Sequence, residues 1–371
     1  AVPLIFISIL SAINKLENSA GIGKMSLTIV GCMLCLVMIA GFIGLLTAHV
    51  LGLDASAFVH MQSTLTADDV NKTAAISLPK LVTSLIPTNI FLDLTGARSV
   101  SVIGIVIFTL LAGVALLKVK QDAPQEGEKL SAGINAIQIW VMKMVRIVIA
   151  LTPYGVMALM AGVFSAYRFE QFASLLGFIA ACYLAILMMF IVHALILVLS
   201  GNNPVHYFKT VWPVLTFAFV SRSSAASIPL AISAQEKFGV QNTIANIAAS
   251  FGSSMGQNGC AGIYPAIMVA MIAPTIGIDP LSVHFLLAML PAIALGSIGV
   301  AGVGGGGTFA ALIVLSTLNF PVALVGIFIA IEPVVDMART ALNVNGSMMS
   351  GVLANRLLKK SAEKPQPVNA N

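Results

Sequence analysis

Long apolar runs alternate with short polar breaks along the chain, and the alternation changes character near residue 204. Before that point the runs are long. Segments 25–51, 100–117, 130–167 and 172–199 are near or above the ~20 apolar residues that a bilayer crossing needs, so each predicts a spanning helix. Pro153 predicts a kink in the third. Segment 54–75 is polar and reads as an external loop, and 77–99 mixes Pro, Asn and Asp at short intervals, which predicts broken interfacial helix pieces. KVKQDAPQEGEK at 118–129 reads as a charged inner loop.

After residue 204 the apolar pieces shorten. Segment 211–220 is half a span, SRSSAAS follows, and a second short piece ends at Gln235 and Glu236. A short helix in, a serine tip and a short helix out describe a re-entrant hairpin. The helix predicted over 242–273 is broken at GSSMGQNGC, and 281–295, the tip GSIGVAGVGGGG and 308–318 repeat the hairpin form. The first hairpin is expected to enter from inside and the second from outside. Irregular backbone survives at membrane depth only where it lines a cavity, which predicts a site between the tips. Freed amides there can hold a carboxylate and freed carbonyls a cation.

The polar stripe that follows is the sharpest signal. At about 100° per residue, Glu332, Asp336, Arg339, Asn343 and Ser347 fall within roughly an 80° arc, with Thr340 beside them. An ionisable side chain at that depth costs roughly 2.5 to 3.5 kcal/mol even on a lenient scale, so it normally faces a partner, a cavity or a substrate path. The competing reading is a buried ion-pair network between helices. As a site, the stripe offers Asp336 to an ammonium, Asn343 and hairpin backbone to a carboxylate, and Arg339 to a second carboxylate.

Composition fixes the class. With 58% hydrophobic residues, 9% charged residues and a mean hydropathy of +0.99 over 371 residues, the chain reads as a polytopic, all-α membrane protein. The net charge of +5 does not imply nucleic acid, because Lys15, Lys24, Lys118, Lys120, Lys129, Lys209, Lys237, Arg356, Lys359, Lys360 and Lys364 fall in alternate short loops or the tail. Those segments are predicted to be cytoplasmic. The chain begins in an apolar run of about half a span, so a helix truncated at its N-terminus is expected. Cys32, Cys35, Cys182 and Cys260 all lie in apolar segments, and Cys32 and Cys35 are expected to be small core residues rather than a redox pair. Lys143, Arg146 and His193 are expected to snorkel or to find a polar partner.

Enzymatic readings fare poorly. Ser221, Ser223, Ser224 and Ser227 lack a nearby base, since no histidine follows within twenty residues and His206 lies at the inner end of the hairpin. The glycine tip 299–307 has phosphate-loop composition without GKS or GKT or a preceding strand, so a gate is the better reading. Neither enzyme activity nor a cofactor is expected.

SRSSAASIP, GSSMGQNGC, GSIGVAGVGGGG and DMARTALNV, in that order, resemble the dicarboxylate/amino acid:cation symporter family, which contains the glutamate transporters. The resemblance covers the whole chain. AFVSRSSAASIPL, SFGSSMGQNGCAGIYPA and EPVVDMARTALNVNGSM are most similar to the bacterial L-cystine uptake symporters. It implies the glutamate-transporter-homologue fold with two re-entrant hairpins and inverted repeats. It further implies elevator-type movement of a transport domain past a scaffold in a homotrimer of the bacterial inner membrane. On that plan 1–20 is the rest of a scaffold helix, 21–52 a transport-domain helix, 53–167 external loop and scaffold helices, and 168–203 a transport-domain helix. The first hairpin is 204–239, the interrupted helix 240–274, the second hairpin and gate 280–319, the substrate-binding helix 320–358 and the cytoplasmic tail 359–371.

The resemblance also distributes roles. Asp336 would hold the substrate amino group, Arg339 and Thr340 its side-chain end, and Asn343 with the Ser223 and Ser224 backbone its α-carboxylate, with Gly302 and Val303 also against the substrate. The distal ammonium of cystine would meet Glu332. Gly299, Gly304 and Gly305 would serve the gate. One cation site would use Ser254, Ser297, Ile298 and Val300, and Gly252, Gly256, Glu332 and Ser347 complete the cation or proton positions. Two departures bear on the ion: Asn258 stands where the family motif NMDGT has its acid, and Ser347 where sodium-coupled members have an aspartate. Hard cations prefer carboxylates, so sodium sites should be weakened. The expectation is a symporter importing L-cystine, with H+ favoured over Na+ as coupling ion and carried on Glu332 or Asp336. The alternatives are a sodium-coupled symporter of another amino acid or dicarboxylate, and an amino-acid-gated channel.

Overall fold

The computed structural model describes residues 20–55, 89–95, 101–150, 169–299, 306–321 and 331–362, with single positions at 6–7, 10–11, 13–14, 154, 157 and 328. Every regular element among them is helical: α1 (Ala20–Val50), α2 (Ile90–Leu94), α3 (Ser101–Asp122), α4 (Pro124–Ala150), α5 (Phe169–Leu199), α6 (Pro204–Ser221), α7 (Ile228–Lys237), α8 (Asn242–Gly252), α9 (Tyr264–Ile272), α10 (Val283–Gly296), α11 (Gly306–Thr317) and α12 (Glu332–Ala362). A π-helical turn, Asn258–Ile263, precedes α9. Gly23–Val50, Ser174–Leu199 and Asn258–Ile276 are long and apolar enough to cross a membrane. Pro153 and most of 1–19, 56–88 and the tail lie outside the described residues, as do Val300, Gly302, Val303, Gly304 and Gly305.

Local chemistry sets the breaks. Asn203 Oδ1 accepts from the Val205 and His206 amides at 2.9 and 3.2 Å, and Pro204 fits the first turn of α6. At the other end of α6 Arg222 takes a left-handed conformation (φ 54°) and starts the serine tip that leads into α7. Helix α8 stops at Gly252, and Gly256 turns the chain at φ 64°, where a side chain would meet Met33 Cβ at 2.6 Å. Small residues then let α1 lie against the broken segment. A Cβ on Gly44 would fall 2.8 Å from the Ile263 carbonyl oxygen, and one on Gly262 would fall 2.8 Å from Ala40 Cβ.

One apolar core joins α1, α5, α6, α7, α8, α9, α10, α11 and α12, and none of the described side chains of 101–150 belongs to it. Val141 of α4 instead packs with Ile7 in a small separate cluster.

Two expectations need correction. The charged stretch 118–129 is not a loop: α3 runs to Asp122 and α4 starts at Pro124, leaving only Ala123 between them. Lys, Gln and Glu are good helix formers, Pro is tolerated in a first turn, and Glu126 and Lys129 pair at 2.8 Å, so charge there does not interrupt helix. Cys35 is not in the core but exposed, while Cys32 is half-buried. Helix α1 is apolar on every side, so an apolar position on it does not reveal which face is inward.

Candidate functional site

All six polar positions of the predicted stripe on α12 are buried: Glu332, Asp336, Arg339, Thr340, Asn343 and Ser347 are 5, 2, 0, 3, 2 and 4% exposed. Helical spacing places Glu332, Asp336 and Arg339 on successive turns of one face, and their charges are joined. Arg339 Nη2 donates to Glu332 Oε1 at 3.0 Å and to Asp336 Oδ1 at 3.3 Å. The guanidinium also sits 4.1 Å from the ring centroid of Tyr264. A fully buried cation is tolerated on such terms, with carboxylates and an aromatic face replacing water. Its Nε and Nη1 nonetheless have no partner among the described residues.

Each carboxylate also reaches a different helical pair. Asp336 Oδ2 accepts from Arg222 Nε at 2.9 Å, which ties the serine tip between α6 and α7 to α12. Glu332 Oε1 accepts from the Thr308 amide at 3.2 Å, and Oε2 accepts from the Thr308 hydroxyl. That places an acid against the first turn of α11, where the helix dipole favours it. The stripe thus joins the serine tip and the first turn of α11 from one face.

The serine tip keeps free donors. Ser223 Oγ accepts from the Ala226 amide and the Ser223 carbonyl accepts from Ser227 Oγ. The Ser223 and Ser224 amides donate to no acceptor among the described residues, which leaves them available to an anion.

Asn343 is engaged with the broken helix. Its Oδ1 accepts from the Gly259 and Cys260 amides at 2.7 and 3.2 Å, and its Nδ2 donates to Cys260 Sγ at 3.0 Å. These are the amides that the break frees from helical bonding. Glycines permit the contact: a Cβ on Gly259 would lie 2.8 Å from Arg339 Cα, one on Gly346 2.6 Å from Asn258 Nδ2, and one on Gly307 only 1.7 Å from Arg339 Nη1.

The two positions that depart from the family's acids are filled differently. Ser347 Oγ donates to the Ala248 carbonyl at 3.0 Å, tight against Gly252. Asn258 Nδ2 lies 3.1 Å from His193 Nε2, while His193 Nδ1 lies 2.7 Å from Asn345 Nδ2 and Tyr207 donates to Asn345 Oδ1 at 3.1 Å. A neutral imidazole has one N–H and one lone pair, so one amide must present its oxygen to the ring. Asn258 Oδ1 is buried without a partner as oriented, which makes Asn258 the amide to turn.

Ser254 and Ser297 bond within their own turns, to the Phe251 and Ala294 carbonyls, and neither bonds to the stripe. Ile298 is half-buried and Gly299 ends a short helical turn. Expectations for Val300, Gly302, Val303, Gly304 and Gly305 fall outside the described residues. Sequence reasoning missed Thr308 and Tyr264 as partners of the charged cluster. Thr308 carried one usable signal, a lone hydroxyl directly after four glycines at a helix start.

Comparison with known proteins identifies the class. The family model described as the Sodium:dicarboxylate symporter family matches residues 1–357. An L-cystine uptake protein TcyP of Bacillus cereus is 47% identical over 364 residues, covering 96% of this chain and 78% of its own length. A protein of the same name from Shouchella clausii is 45% identical over 360 residues, covering 96% of this chain and 77% of its own. An uncharacterized symporter of Haemophilus influenzae is 45% identical over 364 residues, covering 96% and 83%. These matches make the protein a transporter and not an enzyme, and the chain belongs to the sodium:dicarboxylate symporter family.

Proposed function

We propose that the protein imports L-cystine across the bacterial inner membrane by secondary active symport. The observation that carries the reading is the buried Glu332–Arg339–Asp336 cluster, whose carboxylates also reach Arg222 of one tip and Thr308 beside the other. Cystine has two ammonium and two carboxylate groups, and this cluster with the free tip amides supplies partners of both signs. Asp336 takes one ammonium, the Ser223 and Ser224 amides with Asn343 take the adjacent carboxylate, and Arg339 and Thr340 face the distal end. The names of the TcyP relatives support the substrate.

The coupling ion in this reading is the proton, held on Glu332 or Asp336. Neither Asn258 nor Ser347 supplies a carboxylate, and each is already bonded within the protein. The backbone around Ser254, Ser297 and Val300, with Gly252 and Gly256, is the position left for a sodium ion. Movement is by a transport domain sliding past a scaffold within a homotrimer, with Gly299, Gly304 and Gly305 in the gate and Gly302 and Val303 against the substrate. That the described side chains of 101–150 stand apart from the main core supports that division.

Uptake of radiolabelled L-cystine into proteoliposomes, with a sodium or a pH gradient imposed separately, tests the reading. Uphill uptake with the pH gradient alone is expected. Uptake that needs sodium would overturn the proton assignment, and no cystine uptake under either gradient would overturn the substrate.

A further inference from the structure

A polar cavity of about 520 Å³ lies at the far end of α12. Arg356 is twenty residues beyond Asp336, which at 1.5 Å per residue is about 30 Å along the helix, so this cavity is separate from the charged cluster. Three segments build it: the turn between α5 and α6 gives Asn202, the turn between α7 and α8 gives Phe238 and its neighbours, and α12 gives Val352, Asn355, Arg356 and Lys359. Asn355 fixes the floor, since its Oδ1 accepts from the Gln241 amide and its Nδ2 donates to the Gly239 carbonyl, both at 3.4 Å.

Among the described residues two cations line the cavity and no acid does. Neither Arg356 nor Lys359 has a carboxylate partner among the described residues. The guanidinium is nevertheless placed: it lies over the turn at Gly201, where φ is +69° and a Cβ would fall 2.6 Å from Arg356 Nη1. A planar donor laid on a glycine turn, an ammonium one helical turn away and a fixed amide floor suit a phosphate group, which accepts from guanidinium in a bidentate way. Phe238 and Val352 add an apolar wall beside the charges. This is also the end of the molecule that the distribution of lysines assigns to the cytoplasm, where anionic headgroups gather.

We propose that this cavity binds a phosphate group, donated by an anionic phospholipid headgroup or by free phosphate, and that binding ties the two turns to the end of α12. The inference does not depend on the transported substrate. The protein is purified in neutral detergent, and its unfolding temperature is measured with phosphatidylglycerol, with phosphatidylcholine, and with millimolar inorganic phosphate against sodium chloride of equal ionic strength. The wild type is expected to gain about 3 °C or more with phosphatidylglycerol over phosphatidylcholine, and R356Q/K359Q to lose that gain. If inorganic phosphate alone reproduces the gain in the wild type and not in the variant, the proposal stands with free phosphate as the source. Equal responses of the two proteins to every probe, or no response of the wild type to either phosphate source, would overturn it. Both side chains are exposed, so the substitutions do not touch the core.

Discussion

Arg222 Nε lies 2.9 Å from Asp336 Oδ2, so the carboxylate assigned to a substrate ammonium also carries a guanidinium from the serine tip. The two cations compete for one acceptor. Asp336 is almost fully buried while the Arg222 side chain is 37% exposed, so the pair is worth about 1 kcal/mol rather than a buried pair's value. Arg222→Gln should therefore lower KM for L-cystine by about fivefold, read from initial uptake rates over a concentration series. An unchanged or raised KM would show that Arg222 does not oppose binding.

The position of Arg339 is set by what faces it. A methyl group on Gly307 would fall 1.7 Å from Arg339 Nη1, and the guanidinium cannot simply retreat while two carboxylates and Tyr264 hold it. Gly307→Ala is expected to reduce uptake by about 100-fold through displacement of that group. Gly133→Ala, with nothing within 4 Å of the new carbon, should leave uptake unchanged.

His193 holds the broken helix to α12 through two amides, and all three side chains are fully buried. His193→Leu strands Asn258 and Asn345, and should cost about 2 to 4 kcal/mol, measured as a fall in unfolding temperature of the purified protein. His193→Gln, which keeps a donor and an acceptor, should restore part of the loss.

What the sequence made legible follows from period and composition. Helical spacing alone put Glu332, Asp336, Arg339, Asn343 and Ser347 on one face, and all are buried there. The glycine and serine breaks marked where α6 gives way to α7 and α8 to the π-helical turn. Partnerships across the chain were not legible. Arg222 and Asp336 are 114 residues apart, and Asn258 and His193 are 65, so no local pattern could pair them. The role of Asn343 shows the same limit, because its residue type fits a substrate carboxylate and two freed backbone amides equally well. Outward and inward positions on α1 were unreadable for another reason: a helix apolar on all sides carries no periodic signal, and Cys35 was misplaced on it.

The most direct test of the central claim is equilibrium binding of radiolabelled L-cystine to the purified protein and to Asp336→Asn. Asparagine keeps an oxygen for Arg222, and it loses the negative charge and the weaker 3.3 Å acceptor for Arg339, which Glu332 still holds. The account predicts saturable binding by the wild type and a Kd raised at least about 100-fold in the variant, with both proteins unfolding cooperatively. Binding by Asp336→Asn with wild-type affinity would contradict it and would return the α12 cluster to a structural role.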